Sequence, residues 1–256
     1  MKKKSTLFIV PVMALGAVVL SAGPAFAASN SSYQATLGQL NGSSASGTVM
    51  VTVNGDQATI TEKISGLPAS FMGKPYPHVQ HIHVGGEGVC PTPNADKNGD
   101  GVVSTTEGEP SYGPIAVTLS TSGDTSPKAG TDLAIAPSGA SFTYNRTITL
   151  DAATLAGLKD GKASVVVHGL DPATLSKAGQ DAKSELVPSL PLAATSPALC
   201  GELALSQMAL PNGAPDTGSA ATSNGPDLGM LAVGGGLVLA AGGVVVARRR
   251  IAARNN

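Results

Sequence analysis

HVQHIHVGGEGVCPTPNADKNGDGVVSTTEGE, residues 78–109, is the stretch on which the reading of the whole chain turns. It holds three of the four histidines and one of the two cysteines. Its second half, Asp96-Lys-Asn98-Gly-Asp100-Gly101-Val102-Val-Ser104-Thr-Thr-Glu107, meets the pattern D-x-[DN]-x-[DN]-G-x5-E at every required position. A hard cation such as Ca²⁺ takes six to eight oxygens. Asp96, Asn98 and Asp100 offer side-chain oxygens and Val102 a backbone carbonyl. Ser104 contributes directly or through water, and Glu107 offers a bidentate carboxylate. An acidic, glycine-rich surface turn is the plainer use of the same residues.

The flanks of this loop carry no helix signal. Cys90-Pro-Thr-Pro93 precedes it, and two prolines so placed disfavour an entering helix. Gly108-Glu-Pro110 follows and is expected to stop a leaving helix before its first turn. A calcium sensor works by swinging two helices apart, so the loop reads as a structural clip on a β scaffold.

The first half of the stretch carries a second chemistry. On a strand, alternate side chains share a face, so His81 and His83 point the same way. Imidazoles so placed suit copper or zinc. Ala163-Ser-Val-Val-Val-His168 is a β-branched run ending in a third candidate ligand. His78 is a fourth, but its spacing from His81 puts it on the opposite face of any strand that reaches it. Hydrogen bonding inside a barrel core or mouth is the other use of these rings, and spacing alone favours it.

Outward from this stretch the chain reads as strands. Tyr33–Leu37 and Gly47–Val53 run apolar or alternate, and Asn54-Gly55-Asp56 is a hairpin signal, since Asn-Gly tolerates the positive φ values that the centre of such a turn needs. Ala58–Ile64 alternates, polar out and apolar in. Met72-Gly-Lys-Pro75 breaks the chain before the histidine strand. Pro114–Leu119, Ser141–Leu150, the run to His168 and Leu199–Ser206 complete eight strands. Asp151–Leu158 reads as a short helix capped by Asp151. The class is therefore all-β, with no internal repeat.

Ile64-Ser-Gly-Leu67, the HIHVG at residues 81–85, Cys90, the VVVHG at 165–169 and Leu199-Cys200-Gly-Glu-Leu203 carry a resemblance in their order. They resemble the landmarks of copper/zinc superoxide dismutases, and of the related secreted CHRD domains, over about residues 33–206. The resemblance implies an eight-stranded Greek-key β-barrel or sandwich, with Cys90 and Cys200 bridged. It also implies that His81, His83 and His168 match three copper ligands. Two positions depart from the dismutase pattern. The loop after Cys90 contains no histidine, where the family keeps a bridging histidine and its zinc ligands. Pro197 stands three residues before the final cysteine, where the family has the arginine that guides the anion.

The termini read as export and anchoring signals. Lys2–Lys4, an apolar run from Leu7 to Leu20 and Ala25-Phe-Ala27 form a secretory signal peptide, residues 1–27, cleaved after Ala27. Two cysteines in an exported chain read as one disulfide. Residues 28–209 form the β domain, and 210–227 a Gly/Ser/Thr/Pro-rich linker. Leu228–Ala247 is uncharged and long enough to span a membrane, and the basic tail 248–256 places the C-terminus in the cytoplasm. Within the linker, Ala214-Pro215-Asp216-Thr217-Gly218 resembles the LPxTG sorting signal of Gram-positive bacteria. A sortase acting there would join the protein to the cell wall; otherwise the span anchors it in the membrane.

Charge narrows the partners. The chain has 16 basic and 17 acidic residues. Removing the three leading lysines and the four trailing arginines leaves nine basic side chains, a net charge near −8. That disfavours nucleic acid and anionic lipid. Three functions follow as expectations: a calcium-binding surface module whose histidines are structural or hold copper weakly, a copper-dependent dismutase-like enzyme, and an adhesive or structural wall protein.

Overall fold

A computed structural model describes residues 30–206. The signal peptide, the linker with its sorting-like motif, the membrane-span candidate and the basic tail lie outside the described residues. Among the described residues, no helix is long and apolar enough to cross a membrane.

The fold is mostly β. Three nine-residue strands open the chain: β1 (Ser31–Gln39), β2 (Ser46–Asn54) and β3 (Gln57–Ser65). A small hairpin of β4 (Ser70–Phe71) and β5 (Lys74–Pro75) leads to the histidine strand β6 (Gln80–Val84). Then come helix α1 (Thr105–Tyr112), β7 (Ile115–Thr118), β8 (Ser141–Thr149) and helix α2 (Ala152–Lys159). The chain closes with β9 (Ala163–His168), the short helices α3 (Lys177–Asp181) and α4 (Leu192–Thr195), β10 (Pro197–Glu202) and β11 (Ala204–Leu205). The main sheet is curled and antiparallel, in the order β7-β6-β9-β10-β1-β2-β3-β8, with β11 also pairing β1. The terminal strands β7 and β8 do not pair with each other. Instead Arg146 on β8 donates to Ser120 O, Ser120 Oγ and Gly123 O, just beyond β7.

Burial follows the periodicity of each strand. β2, β3 and β8 alternate between buried and exposed positions, one face to the core and one to solvent. All six residues of β9 are buried. Val165 and Val167 face the main apolar cluster, while Val166 packs with Tyr112 and Cys200 on the other side. The continuous apolar run of β9 is therefore a strand covered on both faces, outwardly by the segment between β6 and β7. The Cys90–Cys200 disulfide ties that segment to β10, with Cα atoms 5.8 Å apart and 110 residues between them in sequence.

Four local expectations need correction. The hairpin between β2 and β3 pairs Asn54 with Gln57, so its central residues are Gly55 and Asp56 rather than Asn54 and Gly55. Only Gly55 takes a positive φ there, which makes Gly the first central residue. The strand ending the domain is interrupted at Leu203, and it begins earlier, at Pro197. On β3, Glu62 faces inward with Ala58, Ile60 and Ile64, so a carboxyl stands where alternation calls for an apolar residue.

The fourth correction bears most on the site. A leaving helix does follow the acidic loop, despite Gly108 and Pro110. Ser104 Oγ accepts from Glu107 N, and Glu107 Oε2 accepts from Ser104 N, a reciprocal capping box. Glu185 Oε1 accepts from Thr106 N and completes the cap. Pro110 removes one intrahelical bond from a helix of two turns. Burial of Tyr112, whose hydroxyl donates to Thr105 O at 2.8 Å, holds the last turn in place.

Candidate metal centre

β6 and β9 are neighbours in register: His81 lies opposite Val166, and His83 opposite Ser164. His81 and His83 therefore emerge on the outer face of the sheet together with His168, the last residue of β9. One candidate nitrogen from each ring comes within 4.8 Å of the others. Among the described residues this is the one group of three or more His, Cys, Asp or Glu side chains that converges so. His78 does not join it. Its ring lies between the carbonyls of Pro68 and His168, at 3.0 Å from each, and buttresses the backbone behind His168.

The hydrogen bonds assign each tautomer, because a backbone carbonyl can only accept. His81 Nε2 donates to Gly130 O at 2.9 Å. His83 Nδ1 donates to Gly113 O at 2.7 Å, and His168 Nδ1 to Thr195 O at 2.7 Å. That leaves His81 Nδ1, His83 Nε2 and His168 Nε2 with lone pairs and no proton. His83 Nε2 is buried and has no hydrogen-bond partner. His81 Nδ1 and His168 Nε2 face each other at 3.3 Å, two acceptors with no donor between them.

Such an arrangement fits a transition metal. Two nitrogens bound to one ion at about 2.0–2.1 Å in tetrahedral geometry lie roughly 3.3–3.4 Å apart, the spacing of that pair. Each ring is also oriented from behind by a carbonyl, the outer-shell support that metal-bound histidines use. An all-imidazole donor set suits copper or zinc and not calcium.

The surroundings are dry and keep the rings neutral. All three histidines are at most 2 % exposed. Burial, then His168 and His83 nearby, holds His81 well below its ordinary value. Burial and the neighbouring His168 push His83 down to about 3, and burial takes His168 to about 4. The walls include two glycines, of which Gly113 leaves no room for a larger residue. A Cβ on Gly130 would meet Ile115 Cδ1 at 2.6 Å, and one on Gly113 would meet Val84 O at 2.4 Å. Both supply carbonyls to the rings, and at Gly113 it is close approach to the Val84 and Gly86 backbone that places the acceptor.

Helix α1 joins the acidic loop to this centre. Its first residue, Thr105, donates through Oγ1 to Thr195 O at 2.6 Å, the carbonyl that also holds His168. At its other end the Tyr112 ring lies 4.6 Å from the His83 ring, and the following Gly113 holds His83 Nδ1. The loop before the helix is closed by backbone amides. Asp96 accepts from Gly99 N and Gly101 N, Asn98 from Asp100 N, and Asp100 from Val102 N. Glu107 reaches back to Lys97 N and Asn98 N. Its partial burial works to raise the carboxyl, but those amides and Ser104 N hold it below the usual range. Asp96, Asp100 and Glu107 do not form a convergent group like the histidines. Asn41 pins the segment: its side chain donates to Val103 O and Pro197 O and accepts from Val103 N.

Thr195, Gly113 and Gly130 are hydrogen-bond partners of the three rings that motif reading passes over. They act through backbone carbonyls, which leave no side-chain signature. No protein-family profile matches this chain, and no characterised protein matches it in sequence.

Proposed function

We propose that this chain is an exported, surface-anchored metal-binding β-domain protein that holds a copper- or zinc-class ion on His81, His83 and His168. The convergence of three imidazole nitrogens, each ring neutral and oriented by a carbonyl, carries this reading. When bound, such an ion supplies Lewis-acid chemistry, and copper adds one-electron exchange. The chain's own part is to present three lone pairs and to keep the rings unprotonated and dry. The ligand nitrogens are sealed under α1 and the Gly130 segment, which favours retention of the ion over turnover of a substrate. Resemblance in landmark order and the curled eight-strand path support a dismutase- or CHRD-like Greek-key barrel. A dismutase-type redox enzyme is the second reading, favoured by the ligand set and disfavoured by Pro197 at the arginine position.

Calcium in the loop 96–107 belongs to the same proposal. It is supported by the full twelve-residue spacing, and by Gly101 at φ +86°, the turn that position six requires. Bound calcium would stiffen the segment that covers the histidines.

Metal analysis of the exported protein, loaded in turn with copper and zinc, tests the main reading. One ion per chain is expected, with loss of binding in His83→Ala and His168→Ala. Equal metal content in the wild type and both variants would refute the site. Superoxide consumption by the copper-loaded protein separates the enzyme from the binding module.

A further inference from the structure

Among the described residues, Glu62 is the one buried member of the Asp, Glu, Lys and Arg set, at 1 % exposure. It projects inside the curled sheet from β3, flanked in register by Val49 on β2 and Tyr144 on β8. Neither carboxyl oxygen has a hydrogen-bond partner, and Gln80 Oε1 and Tyr144 OH beside it have none either. Four orphaned polar atoms in one interior patch need an explanation.

The groups around the patch limit the answer. β1 contributes Tyr33, Ala35 and Leu37, and β2 contributes Val49 and Val51, so no charge faces Glu62 from that side. β6 contributes the neutral Gln80, whose amide donates to Leu119 O. β8 contributes Tyr144 and Arg146, the one cation on that inward face. Arg146 opposes Ile60 and so sits diagonal to Glu62, within reach of a long side chain. A guanidinium beside a carboxylate ordinarily forms a bidentate pair. Here its hydrogen bonds go to Ser120 and Gly123, tying β8 to the hairpin-like loop after β7, while its charge still acts on Tyr144 beside Glu62. That choice fits a neutral carboxyl. Burial pushes Glu62 up to about 8, with the Gln80 side chain opposing.

We propose that Glu62 and Arg146 form a proton-operated latch on the open seam of the sheet. While Glu62 is neutral, Arg146 holds the hairpin closed. When Glu62 ionises, an uncompensated charge in the interior recruits the nearest cation, and Arg146 leaves Ser120 and Gly123. The released hairpin runs on to Gly130, whose carbonyl holds His81, so the latch controls the cover of the metal centre. Asp124 and Lys128 on the hairpin are exposed and do not enter the patch.

The test is hydrogen exchange of the exported chain from pH 6.5 to 9.5, corrected for intrinsic amide rates. The probes are the Thr118 and Thr121 amides, which donate to Thr125 and Ile135. Wild-type protection is expected to fall at least tenfold between pH 7 and 9. Glu62→Gln should show no such fall, and Arg146→Gln should be weakly protected throughout. Identical profiles in the wild type and Glu62→Gln, or full protection in Arg146→Gln at pH 7, would overturn the latch. A carboxyl-carbon NMR titration of wild-type Glu62 stands apart from variant folding. Ionisation near the ordinary glutamate value would overturn the proposal equally.

Discussion

Metal binding by an exposed cluster of histidines must displace protons, and the three buried rings here should have far fewer to displace. At pH 6 an imidazole with the ordinary value of 6.5 is about three-quarters protonated, so an exposed three-histidine site releases about two protons per ion. Burial holds His83 at about 3, His168 at about 4 and His81 well below 6.5. Zinc binding at pH 6 should therefore release almost no proton from His83 or His168, and far fewer than two per chain in all. The same arithmetic sets the acid range of affinity. Between pH 7 and pH 5 an exposed site loses roughly 10⁴-fold in affinity, whereas here His83 and His168 contribute almost nothing to such a loss and the depressed His81 less than an exposed ring would. Calorimetry of zinc binding in buffers of different ionisation enthalpy counts the protons, and circular dichroism checks that the apo chain stays folded. Release of two protons, or a thousandfold loss of affinity by pH 5, would show that the rings are solvated and the sealed geometry wrong. Depressed values also mean that the unfolded chain takes up protons the folded chain cannot. Apo stability should thus be intact above pH 6.5 and fall as pH drops toward 3.

Glu62 shifts in the opposite sense. Its folded value is raised from 4.5 to about 8, so stability should decline as pH rises through that window, by about 5 kcal/mol in all. Denaturant titrations of Glu62→Gln should lack this decline, and a parallel pH profile in both proteins would contradict it. Calorimetry should find one Ca²⁺ per chain, and Asp96→Ala with Glu107→Ala should abolish it; unchanged binding would refute the loop assignment. Reducing Cys90–Cys200 opens a loop of more than a hundred residues and should cost about 5 kcal/mol of stability by the chain-entropy relation, read from the shift in the unfolding midpoint. Thr105→Val removes the hydroxyl donated to Thr195 O. It should lower metal affinity about 10-fold or more while costing about 1–2 kcal/mol of stability; unchanged affinity would show that His168 is held without it.

Most strands were legible because period-two alternation and β-branched runs are local properties. β2, β3 and β8 read directly from residues such as Thr48-Val49-Met50-Val51, and α2 from the Asp151 cap, whose side chain accepts from Thr154 N. Helix α1 was not legible, because Gly108 and Pro110 oppose it locally. It is held by partners from distant segments, Glu185 at its start and the His83 pocket at its end. The inward turn of Glu62 was equally hidden, since a Thr-Glu-Lys run on an alternating strand reads as solvent-facing until the register is known.

Sequence by itself settled that His81 and His83 share a face and that two cysteines are available to pair, because strand pleat and residue count do not depend on context. It also set out the twelve-residue spacing of the acidic loop. Only the tertiary structure brought His168 across from β9, 85 residues beyond His83. Only it aimed the carbonyls of Gly113, Gly130 and Thr195 at the three rings. The difference is physical: side-chain direction along one strand follows from backbone geometry. Which nitrogen carries the proton, and whether water reaches it, depends on groups that meet only when separate segments pack together.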